Sequence, residues 1–204
     1  MDTRQRKTRA KLAEVILRLA AERPASELSV SEIASGAGLN RSTFYEHASS
    51  PVELLETVLR DELDEIRAQH LGDDELRSAA LAISDTTVAV LNHIDSHDEV
   101  YRRGLGDGTG AASLQPMLST HFEQSIDVLL EHHAVEIPGV PAPGENPGDP
   151  SSEFLRRAAA RFIATGTVGA IEIWLREPTP RDTNAFMRSY RVYLPSWWPL
   201  DETS

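Results

Sequence analysis

The sequence predicts an all-α protein in two parts, an N-terminal domain over residues 1–50 and a helical C-terminal domain over residues 51–204. Apolar residues recur at the three- and four-residue spacing of a helix face along most of the chain, and no segment shows a convincing strand-like alternation. At 204 residues the chain is long enough for one sizeable core plus a small domain. We therefore expect three helices in the first part and a helical body in the second.

The first predicted helix ends before Pro24 and has one apolar face. The residues of this face follow the spacing i, i+3, i+4, i+7 and i+8, and they are Leu12, Val15, Ile16, Leu19 and Ala20. We expect this face to pack on the two short helices that follow.

Residues 28–47, LSVSEIASGAGLNRSTFYEH, predict two short helices joined by a tight turn. Ser29 and Glu32 have the spacing of a capping box, so a helix begins there. Gly38 stands where a helix end needs a left-handed residue, and Asn40 is a good N-cap for the next helix. The apolar residues that would close the corner are Ile33, Ala34, Ala37 and Leu39. The alternative is a corner inside an ordinary helical protein, but the register of the signals favours a helix-turn-helix.

The second short helix, residues 41–48, has a polar outer face if Phe44 points into the core. At 100° per residue the flanking positions are Arg41, His47 and Ala48, and the outward positions are Ser42, Thr43, Tyr45 and Glu46. Such a face suits the DNA major groove: arginine reads guanine, short hydroxyls contact base edges, and a tyrosine hydroxyl commonly binds phosphate. Glu46 either accepts a hydrogen bond from cytosine or tilts away from the phosphates.

Residues 8–60 resemble the tetracycline-repressor (TetR) family of bacterial regulators, whose motif runs from a capped helix through Ala-Gly-Leu to a Thr-aromatic-Tyr-x-His segment. The resemblance implies contacts to the DNA backbone from Ser29 and Ser31. It implies contacts to base edges from Arg41, Ser42 and Thr43, and contacts to phosphate from Tyr45 and His47. It also implies a transcription regulator that binds a palindromic operator as a homodimer and is released as a repressor by a small-molecule inducer.

Two positions depart from the family pattern. Ala48 stands where the family usually has a large apolar residue, and Pro51 replaces a phosphate-binding lysine at the start of the fourth helix. Proline suits a first helical turn but donates no hydrogen bond, so a phosphate there would depend on neighbouring backbone N–H groups. With Glu46, these departures leave open a helical ligand- or metal-responsive sensor whose DNA binding is weak or lost.

Charge is distributed unevenly between the two predicted domains. Residues 1–50 carry eight basic and six acidic side chains, a balance of +2, whereas the remaining 154 residues sum to −14. This asymmetry steers the N-terminal domain toward phosphate and repels the body. The basic stretch TRQRKTR, residues 3–9, either reaches an adjacent minor groove or is a solvated terminus. The sequence is equally compatible with both interpretations.

The body is predicted to begin with a connecting helix over residues 51–70, whose apolar face is Val52, Leu55, Leu59, Leu63 and Ile66. Four further helices are predicted over residues 73–94, 114–135, 152–176 and 181–194. Residues 138–150 are rich in proline and glycine and predict a mobile loop.

The last two predicted helices favour self-association. One is apolar on nearly every face, so we expect it to be buried on several sides, and Gly166, Gly169 and Ala170 permit close helix approach. The other carries aromatic residues of the kind enriched at interfaces, including Phe186, Tyr190 and Tyr193. A single-chain core is the alternative to a four-helix dimer interface.

The family resemblance implies a small-molecule pocket in the body. Residues of the type that line such pockets are Met117, His121, Phe122, Phe154, Phe162 and Trp174, each of which is equally compatible with a core position. Glu172 either neutralises a cationic ligand or finds solvent or an arginine.

Other classes of function have little support in the sequence. The chain has no cysteine, which excludes disulfides and thiol chemistry, and it has no apolar run for a membrane span or signal region, so we expect a cytoplasmic protein. His93 and His97 are four residues apart on a predicted helix, but two ligands do not make a metal site. GLGDGTG at residues 104–110 follows no strand and predicts an interhelical loop. We therefore expect no enzyme, no cofactor and no bound metal.

Overall fold

A computed structural model describes residues 3–71, 78–106, 114–131, 135–140 and 150–200 of the chain. These residues form nine α-helices and one short 3-10 helix, Ala25–Glu27, and contain no strand. The α-helices are α1 (Thr3–Ala20), α2 (Val30–Gly36), α3 (Arg41–Tyr45), α4 (Pro51–His70), α5 (Ala79–Ser96), α6 (Asp98–Leu105), α7 (Gln115–Glu131), α8 (Pro150–Trp174) and α9 (Thr183–Tyr193). The all-α prediction is confirmed.

The chain divides into two compact units. The first unit comprises Met1–Glu62 and Ile94–Gln115, and the second comprises Leu63–His93 and Pro116–Ser204. Helices α4 and α5 each contribute residues to both units. The first unit thus contains a segment, Ile94–Gln115, that lies far along the sequence from the N-terminal helices.

The core of the first unit lies under α1. Four of the five predicted apolar residues of α1 are buried, and Leu19 is half-buried. Helix α2 approaches α1 closely at Gly36, where an added Cβ would lie 2.9 Å from Cγ1 of Val15. The buried face of α4 in this unit is wider than predicted, because Leu54 and Val58 join Leu55 and Leu59.

Helix α6 was not predicted from the sequence. It begins after His97, and its buried residues are Val100, Tyr101 and Leu105. Because only these three apolar residues stand among charged ones, the segment carries too short a periodic pattern to identify a helix. Gly104 belongs to α6 and not to the predicted glycine-rich loop, and residues 107–110 of that loop lie outside the described residues.

Ion pairs tie the elements of the first unit together. Arg9 of α1 pairs with Asp61 of α4, and Arg23 pairs with Glu32 of α2. His97 Nε2 lies 3.3 Å from Glu62 Oε2. Tyr101 is fully buried, and this burial, together with the charge of Glu62, raises the pKa of its hydroxyl.

The core of the second unit is formed by the inward faces of α5, α7, α8 and α9. Its buried apolar residues include Leu91, Leu118, Ile163, Val168, Ile171, Phe186 and Met187. Buried Arg181 closes the end of α8, since its Nε donates to the Trp174 carbonyl at 3.2 Å and its Nη2 donates to the Leu175 carbonyl at 2.9 Å. A cation near the last carbonyls stabilises a helix C-terminus.

The predicted mobile loop falls mostly on residues 141–149, which lie outside the described residues, and residues 138–140 form a turn. Across the part of the chain that the structure describes, no helix is both long and apolar enough to cross a bilayer.

Candidate nucleic-acid interface and ligand cavity

The predicted capping box at the start of α2 is present. The Ser29 hydroxyl oxygen accepts from the Glu32 N–H at 3.2 Å, while the Ser29 N–H and hydroxyl donate to Glu32 Oε2 at 2.9 and 2.7 Å. These bonds, followed by the bond and charge of Arg23, lower the pKa of Glu32 to about 2. The start of α2 is therefore fixed by its own side chains.

The turn between α2 and α3 also follows the prediction. Gly38 has a φ of +66°, in the left-handed region that favours glycine, and the Leu39 N–H donates to the Ala34 carbonyl at 2.8 Å. Asn40 Oδ1 caps α3, since it accepts from the Thr43 N–H at 2.8 Å and from the Ser42 hydroxyl at 2.6 Å. The orientation of α3 is thus set by contacts within about ten residues.

Helix α3 buries Phe44 completely and exposes a polar surface. Arg41 and Ser42 are exposed, Thr43 is half-buried, and Tyr45 is 52% exposed with its ring edge-on to Phe44 at 5.7 Å. Four residues separate Arg41 from Tyr45, so the two lie on the same side of the helix. The helix ends at Tyr45, earlier than the predicted residue 48, because the His47 N–H turns back to the Phe44 carbonyl at 2.9 Å.

The remaining predicted contact residues lie on neighbouring surface of the first unit. Ser31 is exposed in the first turn of α2, and His47 is half-buried in the turn after α3. Ser29 is exposed, but its N–H and its hydroxyl hydrogen are both engaged by Glu32. Its primary role in the fold is therefore that of a helix cap.

A carboxylate lies at the start of α4, beside the proline that replaces the family's lysine. Ser50 Oγ accepts from the Glu53 N–H at 3.1 Å, and Glu53 Oε2 accepts from the Ser49 N–H at 2.8 Å as well as from the Ser49 hydroxyl. These bonds lower the pKa of Glu53 and keep it anionic. The sequence analysis did not single out this residue, although Ser50 and Glu53 have the spacing of a capping box.

The basic stretch before the apolar face of α1 is helical. Residues 3–9, which form this stretch, belong to α1, and α1 begins at Thr3. Arg4, Arg6 and Lys7 are exposed, whereas Arg9 is half-buried in its ion pair with Asp61. This stretch therefore presents its charge from a helix surface.

A small pocket of about 80 Å³, partly open to solvent, lies in the second unit. Of the six candidate pocket residues, His121 and Phe122 line this cavity. Phe154 and Phe162 are 69% and 70% exposed, so neither lines an enclosed pocket in the single chain. Met117 is buried but does not line the cavity, and Trp174 packs against Phe186 with ring centroids 5.7 Å apart.

Polar groups of α4 and α7 meet at this cavity. His121 is buried, and its Nδ1 lies 3.3 Å from Asp64 Oδ1. The same carboxylate oxygen accepts from Arg67 Nη2 at 2.7 Å, and Arg67 Nη1 donates to the Ser125 hydroxyl at 3.4 Å. Glu172 is not part of this group, because its Oε1 accepts from Arg176 at 2.6 Å.

A second concavity, a groove of about 820 Å³, runs between α8 and α9. On α8 it is lined by one exposed helix face, spaced i, i+4, i+7 and i+11, which consists of Phe162, Gly166, Gly169 and Ile173. An added Cβ at either glycine would have no neighbour within 4 Å. In the single chain α8 is therefore open on this side, whereas the sequence predicted burial on several sides.

The N-terminal motif matches a known family. Residues 12–58 match the family described as bacterial regulatory proteins, tetR family. No curated protein sequence matches the chain.

Solved structures share the fold at low sequence identity. A TetR regulator from Rhodococcus sp. RHA1 is 18% identical, with a TM-score of 0.58 over 96% of this chain and 100% of that chain. A tetR-family regulator from Streptomyces coelicolor is 20% identical, with a TM-score of 0.56 over 95% and 85%. RolR in complex with resorcinol is 19% identical, with a TM-score of 0.55 over 100% of both chains. The capped helix-turn-helix therefore lies in a segment that matches the tetR family, and the chain shares its fold with solved TetR-family regulators.

Proposed function

We propose that the protein is a homodimeric repressor that binds a palindromic operator through α2 and α3 and leaves it when a small molecule binds the second unit. The observation that carries the DNA-binding part is the surface of α3: Phe44 is fully buried, while Arg41, Ser42 and Tyr45 are exposed on a helix with both ends defined. An exposed helix with an arginine and hydroxyl groups suits the major groove.

The residue roles in this proposal follow from exposure and chemistry. Arg41 is the principal base-reading residue, since a guanidinium can bind guanine O6 and N7 together. Ser42 and Thr43 face base edges, and Tyr45 and His47 bind phosphate. Ser31 contacts the backbone, whereas Ser29 acts first as the cap that sets α2 and contacts the backbone through its remaining acceptor capacity.

Two acidic residues limit affinity in this proposal. Glu53 holds its carboxylate at the start of α4, where a phosphate would otherwise approach backbone N–H groups, and Glu46 is exposed directly after α3. Because phosphate contacts supply much of the affinity for DNA, each carboxylate opposes binding. We expect a weaker complex than a lysine at position 51 would give. Its salt dependence should also be shallower, because one fewer phosphate is neutralised.

The proposed dimer forms across α8 and α9. The exposed α8 face that contains Phe162, Gly166, Gly169 and Ile173 is apolar and has open space above its glycines. Tyr193 of α9 lines the same groove and is 73% exposed. A second copy seated here would cover large apolar side chains and use the glycines for close helix approach. A twofold dimer would present two α3 helices to half-sites about one DNA turn, or a multiple of it, apart.

Ligand-responsive release is proposed for the cavity of the second unit. The similar structure of RolR was solved with resorcinol, which shows that a protein of this fold can hold a small molecule. In this chain, buried His121 and half-buried Arg67 line a small pocket among apolar residues. A ligand that favours one body conformation must lose affinity when the operator favours another, because the coupling is reciprocal.

The test is selection of genomic DNA fragments on the full-length protein at about 0.15 M salt, followed by sequencing. We expect enrichment of an inverted repeat. The matched control is the Arg41→Ala, Tyr45→Phe double variant, whose two substitutions lie on the exposed face of α3. Equal enrichment by the wild-type protein and the double variant would contradict the proposed docking surface. No enrichment by either would favour a sensor without DNA binding.

A further inference from the structure

We infer that the small pocket of the second unit binds an uncharged, hydroxylated molecule with a compact apolar body, of the phenol class. The inference rests on the proposed role of this unit in ligand binding and names the chemistry of that ligand. Three features carry it: the size of the cavity, the hydrogen-bonding capacity of its hydroxyl groups, and the balance of charge at its polar end.

The cavity is small and its wall is mostly apolar. Its volume is about 80 Å³, below the roughly 150 Å³ of a buried apolar cavity that accepts benzene, so even one ring requires some outward movement of the walls. The apolar lining residues come from five helices and include Leu63, Ile83, Val90, Leu129, Ile171 and Phe186. Such a wall favours a flat or compact apolar body.

The hydroxyl groups that line the pocket already donate hydrogen bonds to other groups of the protein. Thr86 donates to the Ala82 carbonyl at 2.6 Å, Thr87 donates to the Ile83 carbonyl at 2.8 Å, and Ser125 donates to the His121 carbonyl at 2.9 Å. A hydroxyl whose hydrogen is engaged can still accept through its oxygen lone pairs. Two further lining hydroxyls, those of Thr167 and Tyr190, bond to each other, and Thr167 donates to the Ile163 carbonyl at 2.7 Å. The five lining hydroxyls therefore suit a ligand that donates a hydrogen bond, as an O–H group does.

The buried imidazole of His121 lies at the polar end of this pocket. Its Nδ1 is 3.3 Å from Asp64 Oδ1. Because the same carboxylate oxygen accepts from Arg67, its negative charge is held in place beside the imidazole.

The charges at the polar end favour an uncharged ligand. Arg67 is the one lining residue in the described part of the chain with a permanent charge, and Asp64 pairs with it at 2.7 Å. A carboxylate ligand would meet this existing negative charge, and a cationic ligand would meet the guanidinium. Burial of a charge without a partner of its own is costly, so both are disfavoured relative to a neutral hydroxyl compound.

The experiment uses three single-ring probes on the full-length protein: phenol, toluene and benzoate. Isothermal calorimetry should show saturable binding of phenol at one site per chain. Toluene, which lacks the hydroxyl group, should bind about three- to tenfold more weakly, because one hydrogen bond is lost. Benzoate should show no saturable binding. Equal affinity for phenol and toluene, or tighter binding of benzoate, would overturn the inference.

A matched pair of variants locates the site. Thr86→Val with Thr87→Val removes two cavity hydroxyls with little change in shape and should reduce phenol affinity about three- to tenfold while leaving toluene affinity unchanged. Thr120→Val makes the same substitution at an exposed position of α7 outside the cavity and should change neither. An equal effect of both variants would overturn the assignment of the site.

A parallel measurement separates this inference from the proposed function. The selected DNA fragment is titrated with the protein in the presence and absence of phenol. If DNA binds and phenol does not, the ligand class is wrong and the DNA-binding proposal stands. If phenol binds with the expected variant pattern but no DNA is selected, the ligand class stands and the regulatory proposal fails.

Discussion

Helices α3 and α8 both present a full exposed face, but the chemistry of the two faces differs. The face of α3 carries Arg41, Ser42 and Tyr45, whereas the face of α8 carries Phe162, Ile173 and two glycines. Polar groups can stay hydrated until they meet a polyanion, while an apolar face gains by being covered. The proposed partners of the two surfaces differ accordingly: DNA for α3 and a second copy of the chain for α8.

The two faces also differ in how their helices are held. Helix α3 has five residues and depends on one buried ring, that of Phe44, together with its Asn40 cap. Helix α8 has 25 residues and buries apolar side chains along most of its length. A single core substitution should therefore damage the α3 surface more than any single substitution could damage the fold of α8.

The largest expected effect is that of Phe44→Ala. Loss of a fully buried aromatic side chain should cost about 3–5 kcal/mol of unfolding free energy and abolish DNA binding. The measurement is chemical denaturation followed by circular dichroism, with Tyr45→Ala as the control, since its ring is half exposed and should cost far less stability. Similar losses of unfolding free energy in both variants would contradict the expected difference between the inner and outer faces of α3.

The next effect concerns the α8 face. Ile173→Asp places a charge on the proposed dimer surface and should weaken dimerisation by about 2 kcal/mol or more, with the monomer fold preserved because the residue is exposed. Light scattering with size-exclusion chromatography measures the mass. Leu81→Asp on α5 is the control, since Leu81 is also an exposed apolar residue but lies outside the groove. If the wild-type protein were a monomer, or if Ile173→Asp dimerised with unchanged affinity, the proposed dimer surface on α8 would be wrong.

Arg41→Ala tests whether the α3 face reads sequence. It should cost about 1–3 kcal/mol on the selected operator and relax specificity at one base pair, because a bidentate contact is lost. Tyr45→Phe should weaken binding to all sequences more evenly, since it removes a phosphate contact. Arg18→Ala is the charge-matched control on α1, where the side chain pairs with Glu22. If Arg41→Ala lowered affinity equally for every sequence, Arg41 would be a phosphate ligand and not a base-reading residue.

The smallest effect is a pH dependence of stability from the capping box. The pKa of Glu32 is lowered from 4.5 to about 2 in the folded chain, so the stabilisation is present above pH 4.5 and is lost as the pH falls toward 2. Glu32→Gln should flatten this part of the stability curve. Glu22→Gln, in the turn after α1, is the control. An unchanged slope between pH 4.5 and 2 in Glu32→Gln would mean that the box contributes no pH-dependent stability.

Sequence reasoning succeeded where the structure is built from contacts between close neighbours in the chain. The capping box of Ser29 and Glu32, the left-handed Gly38 and the Asn40 cap each involve residues within a few positions, so their residue types and spacing suffice. The buried position of Phe44 and the exposure of Ser42 and Tyr45 follow from helix periodicity. Periodicity placed Arg41 beside Phe44 and Thr43 outward, whereas Arg41 is exposed and Thr43 is half-buried. The DNA contacts assigned to these residues stay predictions.

Sequence reasoning failed where distant segments meet. Helix α6 has too few apolar residues to be recognised, and its burial depends on partners elsewhere in the first unit. Phe154 and Phe162 have the composition of pocket residues, yet both are exposed, because residue type does not report on which side of a helix the rest of the chain packs. His121 could be placed beside Asp64 only once α4 and α7 had been brought together.

The sequence by itself therefore determined the helical class, the helix-turn-helix and the polar face of α3, because caps, turns and periodicity act over a few residues. Only the tertiary structure decided that the glycine face of α8 is open in the single chain, that a small pocket lies in the second unit, and that Arg67 and His121 both lie beside the Asp64 carboxylate. These features depend on long-range packing, in which the neighbours of a side chain are set by the whole core.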